Sequence, residues 1–354
     1  MAHKPSICTM SLGRCFAGHS LAHKLDMAQK YGFQGIEVFY EDLVDFSKSY
    51  PGGGSPEDQI AAARAIQQLC AARNLTIICL QPFMHFGGLI DRDQHAKRIN
   101  ELQLWFELVR ALETDLILFP SSFLSEDEVT DDMDLIVADF IEAADLGLQQ
   151  EPVVNFAYES LCWGTRTDTW ESSWDLVQRV DRPNFGVCLD SYNILGRIYA
   201  DPASPTGRTP DCEQATVDSI KRILSDVDIT KVFLVQVADG ERLAAPLDTS
   251  HPFYNAEQPA RMSWSRNARL FYGEPQYGGY LPCKQLLRTV IQGLGFEGWL
   301  SFEVFNRRLA EPDAAVPEEM ARRAAESWVK MKAELGLRTE DEMQPRLQAM
   351  LYKI

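Results

Sequence analysis

The sequence of 354 residues lacks the features that mark several common protein classes. No apolar run approaches the length that spans a membrane, and the first ten residues have no apolar core of the kind that a secretory signal needs. Low-complexity tracts and convincing internal repeats are also missing. We therefore expect a cytoplasmic protein that has no membrane partner.

Positive charge is scarce in this chain. Lys and Arg number 34 against 51 Asp and Glu, which gives a formal net charge of -17. Because nucleic-acid-binding proteins gain much of their affinity by neutralising phosphates, this balance argues against a nucleic-acid partner. A local basic cluster could still bind a small anion, since net charge does not describe a single cleft.

The eight cysteines include no Cys-x-x-Cys pair. Several lie inside apolar runs, as Cys79 does in residues 77–80 and Cys188 does in residues 186–189. Thiols in such surroundings behave as small hydrophobic side chains. We therefore expect free, packed cysteines rather than disulfides or a zinc site.

Short apolar runs alternate with longer amphipathic segments along the whole chain. Apolar residues make up 45% of the composition, which is enough for a large core. The short runs are nearly continuously apolar and β-branched, as strands covered on both faces should be. There are eight of them, the number that a closed parallel barrel needs. They cover residues 6–12, 35–40, 76–81, 116–120, 153–159, 185–190, 231–237 and 299–305.

This alternation predicts an α/β protein with the (β/α)8 TIM barrel fold, formed as one catalytic domain by residues 1–336. A helical pattern at 317–336 forms a C-terminal extension, and residues 238–283 are too many for an ordinary loop. We expect that segment to be a long functional loop after the seventh strand. The tail at 337–354 is predicted to be a further helix of the same domain or an oligomer contact. Helical patterns between the strands lie at 22–31, 57–73, 93–112, 126–148 and 169–180.

Four of the later apolar runs end in an oxygen-bearing side chain. In this barrel the active site lies at the C-terminal ends of the strands, so these side chains are candidates for it. Three carboxylates brought together would repel one another unless a cation lay between them, and an all-oxygen set suits Mg²⁺ or Mn²⁺ better than zinc. Any one of the four alone could be a helix cap or part of a salt bridge, but their coincidence predicts a metal site. The residues are Glu159, Asp190, Gln236 and Glu303.

These residues carry a resemblance to known barrels. The pattern resembles the xylose isomerase-like barrels, which include sugar isomerases, inosose dehydratase and endonuclease IV. More narrowly, residues 10–15, 18–20, 24–26 and 31–37 look like stretches of the fungal 3-dehydroshikimate dehydratases of quinate catabolism. The resemblance implies conversion of 3-dehydroshikimate to protocatechuate with a divalent metal ion, which is Mg²⁺, Mn²⁺ or Co²⁺. It also implies that the four strand-end residues are the ligands, with Gln236 where related barrels have histidine.

The implied chemistry needs more than a metal. A bound cation would stabilise the enolate that forms when the proton next to the ketone is removed, and loss of the β-hydroxyl then leads to an aromatic ring. The substrate is a small-molecule carboxylate, so an acidic protein needs a local cation to hold it. The resemblance implies catalytic roles for Ser265 and Arg269 in the long loop, and Arg266 is a further candidate for substrate binding. Either arginine could instead be a solvated surface residue.

The sequence defines the group that takes the proton less sharply. Relatives often place histidine two residues after the first metal glutamate or three after the aspartate, where this chain has Leu161 and Asn193. We predict His85, just beyond the third strand, as the general base, because imidazole has a suitable pKa. A loop histidine without a catalytic role is the alternative reading.

Three further residues are predicted to bind the substrate. Glu37 lies near the end of the second strand, Arg14 follows the first strand, and Asn193 follows the sixth. Each has a structural alternative: Glu37 could be a buried barrel carboxylate, and Arg14, like its neighbour His19, could be an ordinary loop residue.

Other functions remain open at this point. A sugar or inositol isomerase or dehydratase on the same barrel is the nearest alternative, although the glutamine at position 236 counts against it. A DNA-repair endonuclease would need more metal-binding histidines and a basic face. A barrel that has lost catalysis and only binds a ligand is the third alternative, and the complete ligand set argues against it. A homo-oligomer is compatible with the sequence.

Overall fold

The eight apolar runs form one closed parallel barrel in the computed structural model, which describes residues 2–338. Each strand pairs with its sequence neighbours, and the last barrel strand closes onto the first. The prediction of a (β/α)8 barrel is therefore confirmed. The barrel strands are β1 Lys4–Cys8, β2 Gly35–Phe39, β3 Thr76–Gln81, β4 Leu116–Pro120, β5 Asn155–Glu159, β6 Phe185–Asp190, β7 Val232–Val237 and β10 Trp299–Phe302.

Side-chain alternation along each strand separates two apolar layers. In β5, Phe156 packs in the large layer between the barrel and its helices, whereas Ala157 belongs to a small cluster with Cys188 of β6. Because successive side chains of a strand point to opposite faces, Glu159 lies on the same face as Ala157, and Asp190 on the same face as Cys188. The strand period therefore directs both carboxylates toward the inside of the barrel.

Helices cover the outside of the barrel and connect its strands. Ser55 caps α3 through a capping box with Asp58, which satisfies two backbone N–H groups at that end. The predicted start of a helix at residue 126 is wrong: Asp132 accepts the backbone bonds that cap α5, and Ser125 instead forms a turn with Glu128. The helices are α1 Leu21–Lys30, α2 Tyr40–Ser47, α3 Pro56–Ala71, α4 Arg92–Leu112, α5 Met133–Leu148, α6 Trp170–Val180, α7 Ser191–Ile198, α8 Cys212–Asp226, α9 Ala260–Ala268, α10 Cys283–Arg288 and α11 Val316–Leu335.

The predicted long loop at 238–283 has internal structure. Two short strands, β8 Asp239–Gly240 and β9 Arg269–Leu270, pair in an antiparallel manner, and helix α9 lies between them. Trp264 of α9 is buried, and its indole N–H donates to the carbonyl of Glu241 at 2.8 Å. The segment is therefore held together by its own contacts, and it delivers the predicted residues 265–269 from a helix and a strand.

Helix α11 holds the stretch that follows β9. Four of its side chains, spaced by four, three and four residues, lie on one face of the helix. They contact residues 272–274: a guanidinium pairs with Glu274, while a hydroxyl and an ammonium donate to the carbonyls of Tyr272 and Gly273. The fourth, a carboxylate, accepts from the Tyr272 hydroxyl. This polar face consists of Arg323, Ser327, Lys330 and Glu334.

The remaining sequence expectations have separate outcomes. All eight cysteines are free thiols, and all but Cys15 are buried. Among the helices of residues 2–338, none is both long enough and apolar enough to cross a membrane. The predicted tail lies, from residue 339 onward, outside the described residues, so its helix or oligomer contact stays a prediction.

Candidate metal centre

Three buried carboxylates meet inside the mouth of the barrel. Glu159 ends β5, Asp190 ends β6 and Glu303 directly follows β10. One oxygen from each lies within 4.8 Å of the others, and each residue is at most 3% exposed. Three of the four strand ends selected from the sequence are thus brought together.

Burial and mutual repulsion disfavour the ionised form of these groups. The pKa of Glu159 is raised well above its ordinary value by burial and by the charges of Glu303 and Asp190. Burial also raises the pKa of Glu303, and Asp190 adds to this effect, while Arg269 opposes it. A cluster of buried carboxyl groups whose pKa values are raised in this way is typical of a functional site.

Arg269 supplies positive charge from within the protein. Its Nη1 donates to Asp190 Oδ2 and to Glu303 Oε2 at 2.9 Å each, and its Nε donates to Ser265 Oγ at 3.0 Å. The side chain is 1% exposed and lies over the ring of Tyr192, 4.3 Å from its centroid. Of the two residues predicted from the long loop, Arg269 therefore reaches the carboxylates directly and Ser265 contacts Arg269.

Asn193 joins two of the three carboxylates from the other side. Its Nδ2 donates to Glu159 Oε1 and to Asp190 Oδ2, at 2.7 Å in both cases. Its Oδ1 accepts from the backbone N–H of Cys162 at 3.1 Å. Both polar atoms of the Asn193 side chain, which the sequence predicted to bind the substrate, are therefore hydrogen-bonded within the protein.

A hydrogen-bonded chain of side chains lies beneath the carboxylates. Gln236 Nε2 and Gln81 Nε2 donate to Glu37 Oε2 at 2.8 and 3.0 Å, and Gln81 Nε2 also lies 2.8 Å from Glu303 Oε1. Burial, together with the charge of Glu303, raises the pKa of Glu37 to about 8. Gln236 Oε1 accepts from Cys188 Sγ at 3.5 Å, and a metal bond from this oxygen stays a prediction.

The donor set fits a divalent cation. When ionised, the three carboxylates and the guanidinium of Arg269 leave two negative charges uncompensated, which is the charge that such an ion would neutralise. Oxygen donors of this kind are the ligands of hard divalent ions. The hydrogen bonds from Asn193 and Arg269 orient the carboxylates in the way that outer partners orient metal ligands. The cluster could therefore hold a metal ion.

The carboxylates open into a cavity of about 350 Å³ at the barrel mouth. Its wall includes Glu159, Glu303, Ser265 and Arg269, together with apolar side chains such as Trp163. A larger depression of about 850 Å³ lies at the opposite end of the barrel, around the N-terminal ends of the strands. Because catalysis in this fold takes place at the C-terminal ends, we assign the smaller cavity as the candidate site.

Two arginines and a glutamate line the outer part of this cavity. Arg14 pairs with Glu41 at 2.5 Å, and the exposed Arg266 donates to Gln258 Oε1 at 2.7 Å. Burial, and then the charge of Arg14, lowers the pKa of Arg266. The structure thus places two of the predicted substrate-binding arginines at one cavity with their charges in mutual repulsion.

His85 is not brought to the candidate site. It lines a separate surface depression with Leu89 and Arg98, and its Nδ1 lies 3.2 Å from Ser122 Oγ. Burial and the nearby charge of Arg98 lower its pKa to about 4. The prediction followed from its position beyond β3, but the chain there turns the imidazole toward Phe123, with ring centroids 4.4 Å apart. Among the described residues that line the candidate cavity, none is a histidine.

Two residues of the site were missed from the sequence. Gln81 ends β3 as a polar residue after an apolar run, which is the same signal that selected Gln236. Glu41 gave no such signal, because it lies in the first turn of α2 rather than at a strand end. Its place in the cavity depends on how that helix leaves the barrel.

Comparisons with known proteins agree with the fold. The xylose isomerase-like TIM barrel family matches residues 25–330. A 3-dehydroshikimate dehydratase of Neurospora crassa is 56% identical over 99% of this chain and 100% of its own length. A 3-dehydroshikimate dehydratase of Pseudomonas aeruginosa is 30% identical over 85% of this chain, and the match covers 38% of the length of that protein. A solved fusion of a xylose isomerase-like TIM barrel with a 4-hydroxyphenylpyruvate dioxygenase has a TM-score of 0.71 and 27% identity, covering 95% of this chain and 43% of that one.

Proposed function

The chain belongs to the xylose isomerase-like TIM barrel family, and we propose that it is a metal-dependent 3-dehydroshikimate dehydratase that releases protocatechuate and water. The observation that carries the proposal is the likeness to the fungal dehydratase along the whole chain. The buried triad at the barrel mouth supports it, because this carbon–oxygen lyase reaction passes through an enolate that needs a stabilising cation.

We assign the metal site to Glu159, Asp190 and Glu303, with Gln236 as the proposed fourth ligand. A divalent ion bound there would act as a Lewis acid on the ketone oxygen of the substrate. The all-oxygen donor set favours Mg²⁺ or Mn²⁺, and Co²⁺ is the third candidate.

The outer arginines are suited to the carboxylate of the substrate. Arg14, which pairs with Glu41, and Arg266 line the same cavity, and the charge of Arg14 disfavours the charged form of Arg266. An anion bound by the two arginines would offset this effect and form charge-assisted hydrogen bonds. We therefore assign the carboxylate end of the substrate to the outer cavity and the ketone end to the metal centre.

Ser265 and Arg269 would position the reacting end. Ser265 Oγ accepts from Arg269 Nε, and the hydroxyl hydrogen has no acceptor within residues 2–338. That hydrogen can be donated to an oxygen of the substrate. Arg269 fixes the serine and neutralises part of the charge on the carboxylates, so both residues act at the metal end of the cavity.

We assign the removal of the proton next to the ketone to Glu41. Of the carboxyl groups that line the cavity in the described chain, it is the one that lies outside the triad. Its pairing with Arg14 keeps the side chain aimed at the cavity. The β-hydroxyl then leaves with the proton that Glu41 has taken, which gives one water molecule, and transfer of a ring proton to the ketone oxygen completes the aromatic ring.

A direct assay tests the function. Purified protein is incubated with 3-dehydroshikimate and Mg²⁺, Mn²⁺ or Co²⁺ while the ultraviolet absorbance of protocatechuate is followed. We expect product with at least one metal and none after EDTA. Glu159→Ala and Glu303→Ala should lose activity, whereas Glu107→Ala, which removes an exposed carboxylate on α4, should not. No product with any of the three metals would refute the assignment, and turnover of a sugar instead would favour the isomerase alternative.

Three further expectations remain proposals. We expect the enzyme to work in the cytoplasm, to bind neither nucleic acid nor membrane, and to be compatible with a homo-oligomer.

A further inference from the structure

Asn193 lies three residues after Asp190, in the first turn of α7, and is 2% exposed. We propose that Asn193 is a positioning residue of the metal centre, which fixes Glu159 and Asp190 in the orientation that receives the ion. This inference rests on the metal-dependent function proposed above. It assigns to this side chain a task on the protein's own carboxylates instead of on the substrate.

The hydrogen bonds of Asn193 account for both hydrogens of its amide nitrogen. One lies toward Glu159 Oε1 and the other toward Asp190 Oδ2, each at 2.7 Å. The carboxylates come from neighbouring strands, β5 and β6, so the amide joins the ends of two paired strands. A single side chain thereby sets the separation of two ligand groups.

The orientation of the amide is determined by its surroundings. The backbone N–H of Cys162 can only donate, so the group that faces it must be Oδ1. Ionised carboxylates can only accept, so the group that faces them must be Nδ2. Rotation of the amide by 180° would place Oδ1 against the oxygens of Glu159 and Asp190, and the Nδ2 hydrogens against the backbone N–H of Cys162. Asn193 therefore has one favourable orientation, and that orientation presents two donors to the ligands.

The bonds leave one oxygen of Glu159 for an ion and hold both oxygens of Asp190 in place. Glu159 Oε1 is taken by Asn193, whereas its Oε2 has no hydrogen-bond partner within the described chain, and the residue lines the cavity. Asp190 Oδ1 accepts from the backbone N–H of Tyr192 at 2.8 Å, which fixes the second end of that carboxylate. The carboxylates are thus held before a metal arrives, so less ordering is needed when it binds.

Asn193 differs from Arg269 in a way that decides the expected result. Arg269 carries a positive charge that repels an incoming cation, so its removal changes both orientation and charge. Asn193 is neutral, and it orients the ligands without that repulsion. Its removal should therefore weaken metal binding, and outer partners of metal ligands typically contribute about 10- to 100-fold to affinity.

The test compares two buried asparagines in the full chain. After treatment with EDTA and its removal, Mn²⁺ is titrated calorimetrically into wild type, Asn193→Ala and Asn184→Ala in the absence of substrate. Asn184 is also 2% exposed, and its Nδ2 also makes two bonds, at 2.9 Å to the carbonyls of Ala144 and Val154 at the opposite end of β6. We expect Asn193→Ala to raise the Kd for Mn²⁺ by about 10- to 100-fold and Asn184→Ala to leave it unchanged, although both lower the Tm.

Asn193→Ser serves as a second variant. It keeps one short donor and is smaller than asparagine, and its Kd should lie between those of wild type and Asn193→Ala. If one of the two variants does not fold, the other decides the question. A Kd in Asn193→Ala equal to that of wild type, or an equal rise in Asn184→Ala, would overturn the proposal.

Failure of the proposed function gives a different pattern. A wild-type protein that binds Mn²⁺ but forms no protocatechuate would refute the substrate assignment, and the Kd comparison would still support or overturn the role of Asn193. A wild-type protein that binds none of Mg²⁺, Mn²⁺ and Co²⁺ would overturn both.

Discussion

Arg269 Nη1 lies 2.9 Å from Asp190 Oδ2 and at the same distance from Glu303 Oε2, so one guanidinium nitrogen bridges two carboxylates of the candidate metal centre. This relationship makes the arginine an internal counter-ion as well as a cavity residue. The sequence resemblance implied only a catalytic role for it, and the ion pairs add a role in stability.

We expect Arg269→Met to destabilise the metal-free protein by about 3–5 kcal/mol, because two buried carboxylates lose their charge partner. Mn²⁺ should restore part of this loss by supplying positive charge at the same place. The increase in Tm on adding Mn²⁺ should therefore be larger in the variant than in wild type. Arg266→Met is the control, since it removes an exposed arginine of the same helix–strand segment. Equal metal-induced shifts in all three proteins would contradict the counter-ion role.

Glu37 should make the metal-free fold less stable as the pH rises. Its pKa is raised to about 8 in the folded protein, chiefly by burial, and returns to about 4.3 on unfolding. Between about pH 4 and pH 8 the folded state therefore binds one more proton than the unfolded state. The stabilisation that this proton provides is complete below about pH 4 and is lost as the pH rises through about 8. Glu37 alone should contribute at most about 1.4 kcal/mol per pH unit to the slope, and the raised pKa values of Glu159 and Glu303 add slopes of the same sign.

Urea unfolding between pH 5 and 9 in EDTA measures this dependence. Glu37→Gln keeps the shape of the side chain and replaces the carboxyl with an amide, so it should make the slope smaller, while Glu159 and Glu303 maintain the rest of it. A wild-type curve that is level or rises across this range would contradict the prediction.

Glu41 and His85 can be separated as proton acceptors. Glu41→Gln should lower turnover by about 10²- to 10⁴-fold, the range for loss of a general base. His85→Ala should retain near-normal turnover, because this histidine does not line the cavity. The opposite result, with His85→Ala inactive and Glu41→Gln active, would restore the assignment made from the sequence.

The buried pair between Arg323 and Glu274 should be important for stability. Nε and Nη2 of the arginine donate to the two carboxylate oxygens at 2.8 Å each, and both side chains are 6% exposed. Arg323→Met should lower the free energy of unfolding by about 3–5 kcal/mol, since a buried carboxylate loses its partner. Arg322→Met is the neighbouring control: its pair with Glu326 is exposed and should contribute about 0–1 kcal/mol. Urea unfolding of the two variants should therefore separate them clearly, and equal small losses would refute the prediction.

Much of the fold could be predicted from the sequence because a barrel strand is buried on both faces. That requirement leaves a local signal, the nearly continuous apolar run, and the strand period then directs the last polar residue of β5 and β6 inward. Glu159 and Asp190 were found in this way. The same rule would have found Gln81 had it been applied to the third strand.

Other parts of the site leave no local signal. The direction in which a loop or helix leaves the barrel depends on contacts distant in sequence, such as those that α11 makes with residues 272–274. For this reason His85 was expected at the cavity and Glu41 was not. The ion pairs of Arg269 depend on the pairing of β9 with β8, and no residue pattern in the sequence predicted that pairing.

The division of labour between strands and connecting segments has a consequence for the evolution of specificity. The carboxylates of the candidate metal centre lie at the ends of barrel strands, whereas Arg14, Glu41 and Arg266 come from segments beyond the strands. Substitutions in those segments can therefore accumulate without disturbing the candidate metal centre. Chimeras that exchange only these segments between barrels of the family should inherit the substrate preference of the donor and retain the metal affinity of the recipient.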